Sequence, residues 1–403
     1  MTAYLTGVAG AFLTTLFFVF IIAAVGYLVG GIEIKGISLG TAGVLLMALV
    51  FGVIANYIPS FQLGEKTIVL FDSSVKPLYS LISSLGTSMF VTAVGLIAGP
   101  KFFRGMNKAS LSYVYMGIAV IAVGVITAWL IIKVGGVPAT ITAGLLTGGL
   151  TTTPGLSAAK EAAGAVSEAA AAEVTAGYGI AYIFGVLGVV FFVQLVPKFL
   201  KVNMEEERKN FTAADTVKVK VVDKVLKKVD DLYVFPFLLT AVLGMILGAI
   251  KIPGINFSLG SSGGALIMGL IVGHFGHAGK IDLSVSKNTL NFFRELGLML
   301  FLVGAGVPGG VNFMTYVKLS YFIYGAVLTT VPMIVGYILG KYVFKLSVFN
   351  NLGSITGGMT STPALGTLIH TAGTDAVTAA YAATYPMAMV LVVLAAKFIV
   401  MFF

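Results

Sequence analysis

Long apolar runs, separated by short polar breaks, dominate the chain. They lie at about 8–29, 39–57, 78–98, 111–133, 139–158, 174–197, 232–250, 261–275, 289–307, 319–340, 349–369 and 376–402. About 20 apolar residues in helical form cross the hydrocarbon core of a bilayer, so these runs predict an all-α integral membrane protein. The run at 261–275 is short and reads as tilted or partial. The first run has neither a basic leader nor a clear small-residue cleavage site, and it reads as a span rather than a removed signal peptide.

Composition agrees with the pattern. Of 403 residues, 58% are hydrophobic and 10% charged, against about 25% charged in an ordinary soluble domain. That leaves too little polar side chain to coat a water-exposed surface. A soluble enzyme, a DNA-binding protein and a disordered chain are all disfavoured. The 50 glycines suit membrane helices whose backbones approach closely. With no cysteine there is no disulfide, no thiolate chemistry and no Cys-based metal site. The net charge of +9 fits basic cytoplasmic loops and does not require a nucleic-acid partner.

One hydrophilic break divides the chain. Residues 198–231 carry nine basic and seven acidic side chains and form a connector between a first membrane repeat at 1–197 and a second at 232–403. The halves repeat in order. Ile37-Ser-Leu-Gly40 matches Phe257-Ser-Leu-Gly260, and Ser84-Leu-Gly86 matches Glu295-Leu-Gly297. Ser112-Tyr113 matches Ser320-Tyr321, and the nine residues from Gly148 to Leu156 match those from Gly357 to Leu365. Thr175, Tyr178 and Tyr182 match Thr378, Tyr381 and Tyr385. The offset drifts only from 220 (37 to 257) to 203 (175 to 378), as an internal duplication requires.

Charge then sets the expected orientation. The 99–110 loop, with Lys101, Arg104 and Lys108, and the 198–231 connector are the basic loops of the first half. If both are cytoplasmic, an even number of crossings separates them, yet three apolar runs lie between. The run at 139–158 is the one that does not cross, because Thr151-Thr-Thr-Pro-Gly155 interrupts it. A re-entrant hairpin over 139–172 is predicted, with its tip inside the membrane where only protein or a water-filled cavity tolerates broken backbone. The matching hairpin spans about 349–372. Each half then has five crossings, so the second is inserted upside down, in the inverted-repeat layout of many transporters. Lys280, Lys287, Lys341 and Lys345 fall inside on this scheme, Lys251 and Lys318 do not, and both termini lie outside. Six full crossings per half, giving a parallel repeat, is the competing layout.

The two tips hold the candidate chemistry. Thr151, Thr152, Thr153 and Thr360, Ser361, Thr362 supply hydroxyls. Gly148, Gly149, Gly357 and Gly358 allow close approach, Pro154 and Pro363 mark the breaks, and Gly155 and Ala364 beside them join the candidate substrate-binding residues. Helix N-termini at such breaks favour an anion such as a carboxylate. A pair of Thr-capped, Pro-kinked helices is the plainer reading, which recurrence in both halves weakens.

The paired segments, Gly-Gly-Leu-Thr-Thr-Thr-Pro-Gly-Leu156 and Gly-Gly-Met-Thr-Ser-Thr-Pro-Ala-Leu365, resemble the twin motifs of the aspartate:alanine exchanger family of secondary transporters. The likeness covers both hydrophobic halves. It implies exchange of aspartate for alanine or export of succinate-like dicarboxylates, an elevator motion, and a substrate site lined by Thr151, Thr153, Pro154, Thr360, Thr362 and Pro363. Many members carry a pair of soluble regulatory domains between the halves. Here only the connector stands in that place.

Arg294 and Glu295 interrupt the apolar run that begins near 289. Charge inside a membrane segment is costly and often functional. Arg294 reads either as a local ion pair with snorkelling or as the partner of a substrate carboxylate. Tyr178 and Tyr182, like Tyr381 and Tyr385, are i, i+4 pairs on one helix face; they read as packing or as hydroxyls facing a cavity. Asn350 and Asn351 read as a turn or cap, and His274, His277 and His370 as loop or helix-end residues without metal spacing. No cofactor is implied, and no catalytic motif occurs. The expected partners are a small carboxylate, the lipid bilayer and a second copy in a homodimer of the inner membrane, without nucleic acid. The tips hold no acidic residue to titrate or ligate a cation, which favours exchange over sodium- or proton-coupled symport. A channel with two re-entrant pore loops is the reading from another class. A cysteine placed at Asn210 should react with a membrane-impermeant maleimide only from the cytoplasmic face; reaction from outside would reverse the orientation.

Overall fold

The computed structural model describes residues 14–33, 40–64, 66–102, 111–202, 207, 227–252, 257–311 and 313–403. Arg104, Lys108, residues 37–39 of the first repeat block and most of the 198–231 connector lie outside the described residues.

In the first half, α1 (Thr15–Gly30) and α2 (Ala42–Tyr57) precede an antiparallel ribbon of β1 (Ser60–Leu63) and β2 (Lys66–Val69), in which Ser60 pairs with Val69. Then come α3 (Lys76–Phe102), α4 (Leu111–Gly135), the short pair α5 (Ala139–Gly149) and α6 (Thr153–Gly164), and α7 (Glu168–Phe199). The second half repeats the order. It begins with α8 (Val234–Ala249), the pair β3 (Lys251–Ile252) and β4 (Phe257–Ser258), and α9 (Gly260–Phe275). The pair β5 (His277–Ala278) and β6 (Ile281–Asp282) leads into α10 (Lys287–Val311) and a one-turn α11 (Phe313–Tyr316). α12 (Leu319–Tyr342), α13 (Val348–Gly358), α14 (Thr362–Ala372) and α15 (Thr378–Phe402) complete it.

Six helices of 24 to 32 residues (α3, α4, α7, α10, α12 and α15) are long and apolar enough to cross a bilayer, and α1, α2, α8 and α9 are shorter apolar helices. Their outer faces carry exposed large hydrophobics, among them Leu16 and Phe20 on α1, Trp129 on α4, Leu238 and Ile246 on α8, and Ile323 on α12. An apolar exterior of this extent is stable against lipid and not against water. The protein is a multi-pass, mostly helical membrane protein.

Packing follows the repeat. α1 lies on α2 as α8 lies on α9; α5 lies on α7 as α13 lies on α15; α2 meets α10 as α9 meets α3. α3 and α10 pack on each other, and so do α4 and α12. At the α3–α10 crossing Gly86 and Gly297, matched in the sequence repeat, bring two backbones together. A Cβ at Gly86 would stand 2.3 Å from the Phe301 amide nitrogen, and one at Gly297 2.5 Å from that of Phe90. Only glycine fits such a crossing, which is how membrane helices gain packing without a hydrophobic drive.

The repeat extends to details that hydropathy does not reveal. Asp72, ahead of α3, accepts hydrogen bonds from the Ser74 hydroxyl (2.6 Å) and amide (2.7 Å); Asp282, ahead of α10, does the same with Ser284 (2.6 and 2.9 Å). The Ser74 hydroxyl and amide hold the Asp72 carboxyl below the usual carboxylate range.

Hairpin limits differ slightly from expectation in the first half. α6 stops at Gly164, and Ser167 caps α7 by accepting the Ala170 N–H (3.0 Å). The hairpin thus ends at Gly164 and not near 172, because a serine cap with Glu168 in the first turn starts a new helix. The second hairpin runs over Val348–Ala372.

Candidate functional site

Both hairpins break in the same way. α5 ends at Gly149; Thr151 takes a left-handed conformation (φ 53°), its N–H donates to the Gly148 carbonyl (2.9 Å) and the Thr152 N–H to the Thr147 carbonyl (2.8 Å). α13 ends at Gly358; Thr360 is left-handed (φ 52°), its N–H donates to Gly357 (3.0 Å) and the Ser361 N–H to Thr356 (3.1 Å). This 6→1 and 5→2 pattern is the Schellman helix end, in which glycine normally occupies the left-handed position. A β-branched threonine there is strained. Pro154 and Pro363 do not make the break. Each stands in the first turn of the following arm, where a missing N–H costs nothing.

Contacts between the tips explain the strain. The Thr151 hydroxyl donates to the Met359 carbonyl (2.7 Å), and the Thr360 hydroxyl donates to the Leu150 carbonyl (3.0 Å). Met359 is the repeat counterpart of Leu150, so the exchange is reciprocal. Thr152 and Thr360 hydroxyl oxygens lie 2.7 Å apart, and Thr329 of α12 donates to the Gly149 carbonyl (3.2 Å). Thr151, Thr152, Ser361 and Thr360 are buried, as are Pro154, Gly155, Gly358 and Ala364 around them. The Ser361 hydroxyl has no hydrogen-bond partner.

Thr153 and Thr362 turn away from this junction. Thr153 Oγ1 lies 3.2 Å from the Tyr178 hydroxyl, and Thr362 Oγ1 3.3 Å from that of Tyr381. Tyr178 stacks against Tyr182 (4.9 Å between ring centres) and Tyr381 against Tyr385 (5.2 Å). The tyrosines thus meet the hairpins. Thr362 and Pro363 are exposed, whereas Thr153 is half-buried. Arg294 lies on α10 and binds its neighbour Glu295 through Nη2 (2.8 Å) and Nε (3.2 Å); both are half-exposed. Arg294 remains within electrostatic reach of Tyr381 and Tyr385. Ser347, not Asn350 or Asn351, caps α13, and the buried Asn351 amide donates to the Tyr337 carbonyl (2.9 Å).

A polar cavity lies apart from the tips, and none of the residues 151–155 and 360–364, nor Arg294, Tyr178 or Tyr381, lines it. This cavity of about 630 Å³ opens between α3, α9 and α10 on one side and α6 and α7 on the other. Ser80, Ser83, Ser84, Thr87, Ser157, Lys160 and Thr175 line it, with Lys76 and Glu168 ion-paired at its edge. Thr153, Ser157 and Lys160 follow the i, i+4, i+7 spacing of one helix face, so a polar stripe runs from the tip down α6. That spacing is visible in the sequence once α6 is recognised as a helix. The counterparts on α14 are Thr362, Gly366 and Ile369, so the stripe exists in one repeat only.

A lipid-facing exterior, two helices broken at matching points and a polar cavity between helix groups define a permease-type membrane protein. The chain belongs to the aspartate–alanine exchanger family: the Asp-Al_Ex profile, described as a predicted permease membrane region, matches residues 18–198 and 236–401. The unmatched stretch between them covers the connector. An uncharacterized transporter of Bacteroides thetaiotaomicron is 25% identical over 538 aligned positions, covering 94% of this chain and 96% of that protein. One of Desulfotalea psychrophila is 23% identical over 549 positions, covering 96% of each. Alignments longer than the 403-residue chain mean that these relatives carry inserted residues.

The tip geometry separates two substitutions that both delete a hydroxyl. Thr151→Ala leaves the Met359 carbonyl unpaired and should cost about 1–3 kcal/mol of stability. Thr151→Gly loses the same bond but removes a left-handed penalty of about 1 kcal/mol, so it should unfold later than Thr151→Ala in a detergent thermal melt. The reverse order would remove strain from the account.

Proposed function

We propose that this protein is a secondary active transporter that exchanges small carboxylates, of the aspartate, alanine or succinate type, across the inner membrane. The observation that carries the proposal is a polar cavity walled by α6, the second arm of a broken helix whose tip meets its repeat counterpart. Broken backbone deep in a membrane is tolerated where protein buries it, as here, and paired interrupted helices are the usual substrate site of inverted-repeat carriers.

Several contacts support an inverted arrangement of the halves. The Val348 N–H, where the second hairpin starts, donates to Glu207 of the connector (2.6 Å). Lys227 of the connector bridges to Lys280 and Asp282 ahead of α10. Near the first hairpin the company is different: Gly135, just before it, abuts the Tyr324 hydroxyl, and Lys133 lies over the Phe403 ring at the C-terminus (5.2 Å). The hairpins then enter from opposite ends, with the connector cytoplasmic and the cavity open to the outside.

Alternating access follows as movement of α4–α7 with α12–α15 against α1–α3 with α8–α10. Among the described residues the polar links across that boundary are few: Lys76 to Glu168, Lys160 to Ser83, and Glu161 to the Ser261 and Ser262 amides. Each can open without unpacking a helix. Exchange is favoured over ion coupling because the segments Gly148–Leu156 and Gly357–Leu365 hold hydroxyls and carbonyls but no carboxylate.

Proteoliposomes preloaded with unlabelled aspartate, alanine or succinate should take up labelled substrate by counterflow. Thr153→Val and Thr362→Val should each slow it by about tenfold, in keeping with loss of one hydrogen bond to a charged group, with normal membrane insertion. Ionic current without counterflow would favour a channel, and wild-type rates in both variants would remove the outward-facing threonines from the site.

A further inference from the structure

Lys160 is the residue that sequence patterning passes over. It lies in α6, lines the cavity and donates to the Ser83 hydroxyl (2.8 Å), with its ammonium 5.9 Å from the Phe301 ring centre. Among the described residues it has no ion pair. The adjacent acid does not neutralise it. The Glu161 carboxylate accepts the Ser261 N–H (2.7 Å) and the Ser262 N–H (3.2 Å) at the start of α9, and its charge also acts on Lys397 of α15. A charged amine held inside a membrane protein without a counter-ion is unfavourable.

Two hydroxyls on the same cavity wall are also incomplete. Ser157 Oγ and Ser262 Oγ are buried, with their residues 3% and 1% exposed, and neither has a hydrogen-bond partner. Both line the cavity with Lys160. Buried hydroxyls are nearly always paired. An ammonium without its anion and two hydroxyls without acceptors lack the same thing, a small anion with more than one acceptor oxygen.

We infer that Lys160, Ser157 and Ser262 form the binding site for one carboxylate group of the transported substrate. Lys160 supplies the charge, and the two serines donate to the carboxylate oxygens. The rest of the substrate lies in the same cavity along the α3 wall, beside Ser80, Ser84 and Thr87. Because Ser157 and Lys160 travel with α6 while Ser262 belongs to α9, the site is complete only when the two helix groups stand as they do here. The carboxylate therefore favours this arrangement over the alternate one, as any ligand favours the state it binds better. The matching positions on α14 are Gly366 and Ile369, so the second hairpin cannot offer an equivalent site. This inference rests on the carrier reading for its substrate.

The test is isothermal titration of the purified full chain in detergent with succinate and aspartate, alongside counterflow. Wild type should bind, Lys160→Met should weaken binding about tenfold or more, and Lys160→Arg should stay within about threefold. Ser157→Ala with Ser262→Ala should weaken binding with the charge intact. Thermal melts without ligand should show every variant folded, and Lys341→Met, on the far end of α12, should bind as wild type. Wild-type affinity in Lys160→Met, or binding of phosphate or chloride in place of the carboxylates, overturns the inference. With counterflow intact, that result leaves the carrier reading standing; Lys160-dependent binding without counterflow sinks the carrier reading alone.

Discussion

Two threonines in a conformation that threonine disfavours join the two broken helices tip to tip. Thr151 and Thr360 each end a helix in the left-handed region, and each hydroxyl reaches the other hairpin's terminal carbonyl. A left-handed residue costs about 1–2 kcal/mol, and a hydrogen bond returns about 0.5–1.5 kcal/mol. The two effects nearly cancel at each tip. The junction is thus specified by geometry and not held by excess energy. Glycine would end the helices at less strain but could not reach across. Threonine does both.

Much of this was legible in the sequence, and for physical reasons. Apolar runs must be helices in a membrane because backbone groups there have no water to pair with. The duplication showed through motifs that turn out to sit at contacts: Gly86 and Gly297 at one crossing, the two Thr-rich tips at another. Charge parity called for a hairpin in each half, and five longer helices accompany a broken one in each. What stayed hidden was the division of labour within the tips. The two runs of three hydroxyl residues look alike in sequence, yet Thr151 and Thr360 face the opposite hairpin while Thr153 and Thr362 face tyrosines. That depends on one left-handed residue, which no composition rule marks. Proline drew attention to the right place for a partly wrong reason, since it begins the second arm and does not end the first.

Arg294 drew attention because charge in a membrane segment is rare, and its guanidinium is engaged by Glu295. Lys160 escaped notice because it follows a run of small residues and reads as the start of a water-exposed helix. Only the third dimension places it beside Ser83, under Phe301 and away from its acidic neighbour. The asymmetry between the repeats then acquires meaning. Two hairpins related by duplication make equivalent junctions, but one carries a charged stripe and the other an apolar one. A duplicated scaffold has been given a one-sided cavity.

On the reading proposed above, substrate occupies the cavity between α3 and α6. Ser84 lines that cavity from α3 and is exposed within it, whereas Ser73 is exposed on the loop ahead of α3 and does not line it. In this cysteine-free chain, Ser84→Cys and Ser73→Cys each provide one thiol for a membrane-impermeant methanethiosulfonate reagent. Saturating succinate or aspartate should slow modification at position 84 and leave position 73 unchanged. Equal rates at position 84 with and without either carboxylate would contradict the account.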